Sequence, residues 1–293
     1  MHNNNNLKIA VFPVAGMGTR FLPATKASPK EMLAIVDKPL IQYAVEEAVS
    51  SGIEVLVFIT GRNKTSIQNH FDKAYEIEAE LEINNKKKEL EMIQNIIPSN
   101  IKCIYIRQNE ALGLGHAVLC AKPVVGNNPF AVILADDMIL SSKSCLAQMA
   151  DRFDDLNSSI IAVEKVEKKF LHKYGIIKGI KNNKRDWLLS DIIEKPDNNL
   201  APSDMGVVGR YILNYSIFDI LEKTKKGAGS EIQLTDAIAS QILQEKVYAY
   251  EFEGERFDCG NKFGFMKATI QYGLNHKEIA PQLKEYLQNI KLD

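Results

Sequence analysis

Leu7-Lys8-Ile9-Ala10-Val11-Phe12-Pro13-Val14-Ala15-Gly16-Met17-Gly18-Thr19-Arg20 is the stretch from which the fold can be read. The apolar run 7–14 is short and ends in a glycine loop, which predicts a buried strand. In the loop, glycines let backbone N–H groups approach a phosphate, and consecutive amides form an anion-binding nest. Arg20 adds a planar fork of donors suited to phosphate oxygens. A tight strand exit with an incidental arginine has the same local sequence. The loop is neither the GxxxxGK[ST] of a P-loop nor the full GxGxxG of a dinucleotide site. A little further on, Pro29-Lys30-Glu31-Met32 offers a second cation to the same end of the sheet.

Outward from this strand, Pro39 opens a stretch with Leu40, Ile41, Tyr43, Ala44, Ala48 and Val49 at helical spacing, and Gly52 suits its exit. Residues 55–59, 101–106 and 130–134 read as buried strands, and 115–125 as helix. The alternation predicts an α/β fold: a Rossmann-like, mostly parallel (mixed) sheet flanked by helices. Between the second and third strands lies an excursion, residues 71–97, with charge runs at 76–82 and 86–91. A solvated helical hairpin accounts for that charge; a substrate lid or subunit contact is the functional alternative. The second half reads as short strands at 159–163, 175–180, 187–193, 207–213 and 247–252. Helices are expected at 215–222, 231–245, 261–272 and 281–290. With no repeat and no long linker, residues 1–293 are expected to form a single domain.

The chain has 293 residues, 45% hydrophobic and 25% charged, enough to bury a sizeable core. A net charge of -1 provides no global basic field for nucleic acid or anionic lipid, so phosphate recognition must be local. Cys103, Cys120, Cys145 and Cys259 form no CxxC pair and no zinc spacing, which favours free thiols and a reducing compartment. Neither a signal peptide nor a membrane span is expected, and the expected location is the cytoplasm.

Three further places carry chemistry-bearing side chains. Asp136-Asp137 follows the strand at 130–134, where doubly wound sheets bind ligands, and a hard carboxylate suits Mg²⁺. The same pair also reads as a polar strand exit. Asp258, in Arg256-Phe257-Asp258-Cys259-Gly260, could give the same ion a second carboxylate if its strand end faces Asp136; it is equally a turn aspartate before glycine. Glu194-Lys195-Pro196 reads as an exposed ion pair, or as a lysine aimed at a phosphate. His116 and His172 suggest capping or packing rather than acid–base work.

Taken in order, strand, GxGTR, PKEM, Asp-bearing strand end, EKP and aspartate before Cys-Gly, the chain resembles the sugar nucleotidylyltransferases over residues 7–272. Within them it is most similar to the bacterial UTP–glucose-1-phosphate uridylyltransferases. That similarity rests on residues 12–26, on Arg107-Gln108-Asn109-Glu110-Ala111-Leu112-Gly113-Leu114-Gly115-His116-Ala117, on Glu231-Ile232-Gln233-Leu234-Thr235-Asp236 and on the acidic excursion after Phe71.

The resemblance implies a nucleotide-diphospho-sugar transferase type of fold, with a nucleotide-binding half at about 7–140, a sugar-binding half at about 141–272 and C-terminal helices at about 273–293. It implies nucleotide contacts from Ala15, Gly16, Gly18, Thr19 and Glu31, and uracil reading by Gln108, through a bidentate amide, and by Gly113. Arg20, Lys30 and Lys195 take catalytic roles, the first two on the triphosphate and Lys195 between sugar phosphate and α-phosphate. Asp136 and Asp258 bind Mg²⁺, with Asp137 behind them. Gly175, Glu194, Gly206 and Val207 line the sugar pocket. The implied reaction is in-line attack of glucose 1-phosphate on the α-phosphorus of UTP, yielding UDP-glucose and pyrophosphate without a general base. A homodimer or homotetramer is implied, assembled through the C-terminal helices. Use of dTTP or another sugar 1-phosphate, or a non-catalytic nucleotide-sugar binding subunit, are the alternatives; a dehydrogenase lacks its third glycine and acidic ribose ligand.

Overall fold

The computed structural model describes residues 7–291. Strand β1 (Ile9–Val14) leads through short 3₁₀ turns into a small hairpin, β2 (Ala34–Ile35) and β3 (Lys38–Pro39), and then helix α1 (Leu40–Ser50). Strand β4 (Val55–Thr60) is followed by helices α2 (Thr65–Phe71), α3 (Tyr75–Ile83) and α4 (Lys87–Gln94), and then by β5 (Lys102–Arg107). Helices α5 (Leu114–Leu119) and α6 (Lys122–Val125) precede β6 (Phe130–Ile133), β7 (Asp137–Leu140), α7 (Cys145–Leu156) and β8 (Ser159–Lys165). The second half runs β9 (Gly175–Lys181), β10 (Asp186–Glu194), β11 (Met205–Leu213), α8 (Ile217–Leu221) and α9 (Leu234–Ile242). It closes with β12 (Val247–Glu251), β13 (Glu255–Asp258), α10 (Lys262–Asn275) and α11 (Ala280–Asn289).

Among the described residues, nine strands form one sheet in the order β5-β4-β1-β6-β11-β8-β12-β10-β9. Strands β5, β4, β1 and β6 are mutually parallel, as the alternation predicts. Beyond β6 the sheet is mixed: β11 runs antiparallel to both β6 and β8, β12 is parallel to β8, and β10 is antiparallel to both β12 and β9. The difference follows from the connections. Parallel neighbours need a crossover of a dozen or so residues, whereas β9 and β10 are joined by a short turn that can only bring the chain straight back.

Pleating explains why β1 is apolar throughout. Ala10, Phe12 and Val14 point to the face covered by α1 and α7, while Ile9 and Val11 point to the face covered by α5, α8 and α9. Helix α7 was not anticipated from the sequence, although Ser144 caps it, accepting from the Ala147 N–H, and Cys145, Leu146, Met149, Ala150 and Phe153 make its buried face. The excursion is a helical hairpin with no buried residue in α3 or α4, as its charge implied. The stretch expected as one helix at 115–125 is two, α5 and α6.

Chain order and sheet order together locate the site. From β1 the chain goes to β4 and β5 on one side, then returns to β6 on the other, so the strand order reverses between β1 and β6. Loops leaving the carboxyl ends of two such strands diverge and leave a crevice where α/β sheets bind ligands. Arg210, 2% exposed, donates to both Glu47 carboxylate oxygens and to the carbonyls of Leu134 and Gly209, so its buried charge is fully paired.

Candidate active site

The loop after β1 supplies the crevice's cations. Gly18 is left-handed (φ 66°), and its carbonyl accepts from Thr25 Oγ1 at 2.7 Å. A side chain there would be strained and would crowd Lys30 and Thr25. This turn folds the loop back, so that Lys30 Nζ lies 2.5 Å from Asp136 Oδ2 at the end of the neighbouring strand. Burial pushes both groups toward their neutral forms, yet the pair holds Lys30 above and Asp136 below its ordinary value. Both are therefore charged at neutral pH.

Asp258 arrives from far along the chain. A two-stranded ribbon pairs β13 with β7, placing Asp258 opposite Asp137, and the Cys259 N–H donates to the Asp136 carbonyl at 2.7 Å. Gly260 then turns beneath the two carboxylates. A Cβ on Gly260 would stand 2.9 Å from Asp258 Oδ1, 3.1 Å from Asp136 Oδ2 and 3.5 Å from an Arg20 guanidinium nitrogen. Asp136, Asp258 and Arg20 thus converge on one point that is open because residue 260 has no side chain. Asp137 is turned away: Arg256 and the Gly209 N–H take up its carboxylate. Arg256 also donates to Glu164 (2.7 Å) and to the Tyr174 hydroxyl (3.3 Å). The sequence alone assigns Arg256 no role.

Glu31, expected among the nucleotide contacts, lies instead beneath the loop, 2% exposed and bound to Lys64 at 2.7 Å. A carboxylate so enclosed with a cation anchors the loop rather than reaching an anion. Ala15 abuts Gly61, where the backbones at the ends of β1 and β4 come close, and nothing fills the space where Gly16 lacks a side chain.

On the β5 side, Gln108 is nearly buried. Its amide nitrogen donates to His116 Nδ1 (2.9 Å) and to the Gly113 carbonyl (3.3 Å). The bidentate use expected of this amide therefore meets a nitrogen already engaged twice, with Oε1 as the atom left over. Gly113 (φ 101°) has no room for a side chain against Glu231 and Ile232.

On the other side, Gly175 and Glu194 are partners across β9 and β10, and Thr235 from α9 closes over them. Lys195 is left-handed (φ 46°), a costly state for a lysine. Its N–H is held by the Tyr174 carbonyl at 3.0 Å, and its half-exposed ammonium lies 3.1 Å from Glu194. The ion pair read from the sequence is thus present on a strained backbone, but it is not an exposed one, because the Glu194 carboxylate is largely buried. Gly206 packs against Val166 and Tyr174, and Val207 is buried in the sheet. Tyr174 joins the two clusters: it touches Gly206, accepts from Lys195 and, through Arg256, reaches Asp137. Thr19 belongs to the short turn that carries Arg20.

The family model described as nucleotidyl transferase matches residues 10–273, which take in every one of these groups. This chain belongs to the nucleotidyl transferase family. The nucleotidyl transferase is 46% identical over 289 residues to the UTP–glucose-1-phosphate uridylyltransferase of Haemophilus influenzae, with 96% of this chain and 98% of that protein covered. It is 48% identical over 282 residues to the UTP–glucose-1-phosphate uridylyltransferase YngB of Bacillus subtilis, covering 96% of this chain and 94% of that one. Among solved structures it matches a UDP-glucose pyrophosphorylase complexed with UDP-glucose, with a TM-score of 0.85, 46% identity and coverage of 92% and 100%. It also matches a UTP-bound enzyme of that kind from Acinetobacter baumannii, with a TM-score of 0.91, 42% identity and coverage of 97% and 100%. Among the described residues, no helix of this nucleotidyl transferase is long and apolar enough to cross a membrane.

Proposed function

We propose that the protein transfers the uridylyl group of UTP to glucose 1-phosphate, releasing pyrophosphate and forming UDP-glucose. The observation that carries this reading is the meeting of Arg20, Lys30, Asp136 and Asp258 around Gly260 at the strand-order reversal. Two cations and two carboxylates in one crevice suit a triphosphate and its counter-ion. The relatives named for this reaction support the choice of substrates.

Among the described residues no group of three or more metal-ligating side chains is assembled. Mg²⁺ does not need one: it commonly takes one or two carboxylates and completes its shell with water and substrate phosphates. The cradle between Asp136 and Asp258 fits that habit, and these two residues are the ones that would hold the ion. When bound, Mg²⁺ supplies Lewis-acid stabilisation and a template for phosphate oxygens. Arg20 and Lys30 bind the triphosphate and neutralise the departing pyrophosphate. Glu194 accepts from sugar hydroxyls, with Gly175 leaving them room. Lys195 steadies the attacking phosphate against the α-phosphoryl group. That nucleophile is already an anion near neutral pH, so the work is to position two repelling anions and offset the charge between them.

The test is pyrophosphate release from UTP and glucose 1-phosphate with and without Mg²⁺, beside dTTP. Mg²⁺-dependent release that needs both substrates and favours UTP is expected. A preference for dTTP would keep the fold and move the base assignment; no release would leave a binding subunit. Within this reading, Lys195→Ala lowers kcat by about a hundredfold while the melting temperature holds. Turnover near the wild-type rate would remove the role given to Lys195.

Self-association through the C-terminal helices belongs to the same reading, because Phe263, Met266 and Ile270 form an exposed stripe on α10, with Tyr286 exposed on α11. Sedimentation as a monomer at assay concentrations would exclude it.

A further inference from the structure

The proposed uridylyl transfer makes Gln108 a base contact, and the inference from its surroundings rests on that reading. A carboxamide can present either its oxygen or its nitrogen to a ligand, and the two ends have opposite hydrogen-bonding character. Which end faces out is decided by what holds the other. Here the Gly113 carbonyl, 3.3 Å from the Gln108 amide, can only accept, so the atom facing it must be N–H. The second amide hydrogen goes to His116 Nδ1 at 2.9 Å, which in turn requires the His116 proton to sit on Nε2. Both donors are spent inside the protein. Among the described residues none donates to Oε1, and the planarity of the amide turns that atom away from both partners.

We infer that His116 is a positioning residue for base selection: by accepting from the Gln108 amide nitrogen it keeps Gln108 Oε1, an acceptor, toward the base. Uracil carries a donor, N3–H, in the middle of its pairing edge, and thymine carries the same one. Cytosine has a lone pair at N3 in its place. An amide locked oxygen-outward therefore favours uracil and thymine and sets lone pair against lone pair with cytosine. Such mismatches of buried polar groups discriminate more strongly than a methyl group does. The Gly113 carbonyl alone is a weaker lock, at the longer distance. Without His116 the amide can turn, offering N–H to cytosine N3.

The experiment compares kcat/KM for UTP, CTP and dTTP, with glucose 1-phosphate, across variants at position 116 and at Gln108. His116→Leu is expected to reduce the UTP:CTP preference about tenfold or more and to leave UTP:dTTP unchanged, because thymine presents the same N3–H. His116→Asn places an oxygen acceptor close to the Nδ1 position and is expected to retain the preference. His116→Ala removes the acceptor without adding bulk and carries the same expectation as leucine if His116→Leu misfolds. Gln108→Leu reports on the underlying reading. If it leaves UTP:CTP unchanged, Gln108 does not read the base and the inference falls with that assignment. If it collapses the preference while the leucine and alanine variants at 116 keep it, the role of His116 is overturned. Equal loss of both ratios in those variants would mean a loosened pocket and would overturn it too.

Discussion

Asp136→Asn is expected to lower turnover on the order of 10²–10³-fold and to raise the Mg²⁺ concentration needed for half-maximal rate. The substitution keeps the shape of the side chain and removes its charge, with two consequences. The cradle shared with Asp258 keeps one carboxylate, and a hard dication binds a neutral amide oxygen less well than a carboxylate. Lys30, 2.5 Å away, also loses the partner that offsets its burial, so its ammonium is no longer held high. Steady-state kinetics over a Mg²⁺ titration separate the effects: the first is partly recovered at high Mg²⁺, and the second is not. Turnover within tenfold of wild type at ordinary Mg²⁺ would contradict the role of Asp136.

Gly260→Val is expected to remove activity below detection while leaving the thermal unfolding curve close to that of the wild type. The Cβ it introduces would stand 2.9 Å from Asp258 Oδ1 and 3.1 Å from Asp136 Oδ2, contacts that oblige the carboxylates to move apart. A Mg²⁺ ion demands oxygens at about 2.0–2.1 Å in near-ideal octahedral geometry, so even a small displacement is costly. The added methyl groups would also press on the Arg20 guanidinium, 3.5 Å from that same point. Gly260→Ala grades the effect, being expected to retain a low, measurable rate. Isothermal titration with Mg²⁺ and UTP checks the cause: binding at wild-type strength in Gly260→Val would show that this point between the carboxylates is not where the ion and triphosphate meet.

Much of the fold was legible because its signals are local. The apolar run of β1, the helix opened by Pro39 and the charged excursion announced themselves by periodicity and composition, and each stands where it was expected. Two classes of element were not anticipated. The ribbon strands β7 and β13 are four residues each, too short for a period-two pattern to separate them from loop. Helix α7 is different, because its serine cap and apolar stripe are local signals from which it could have been predicted. Among the site residues, His116 reads as capping or packing because a histidine after a glycine at a helix start has no sequence mark of a partner.

By itself the sequence determined the strand, its glycine loop and the inventory of charges, because backbone preference and burial periodicity are properties of neighbouring residues. It also determined the family resemblance, through motifs held in order along the chain. Only the tertiary structure decided that Asp258 meets Asp136, that Lys30 neutralises Asp136, that Glu31 is spent on Lys64, and that the Gln108 amide meets His116. Lys30 and Asp136 are 106 residues apart, and Arg20 reaches the Gly260 carbonyl across 240. Contacts at such separations depend on which strands lie side by side and in what register, and no local pattern encodes sheet order.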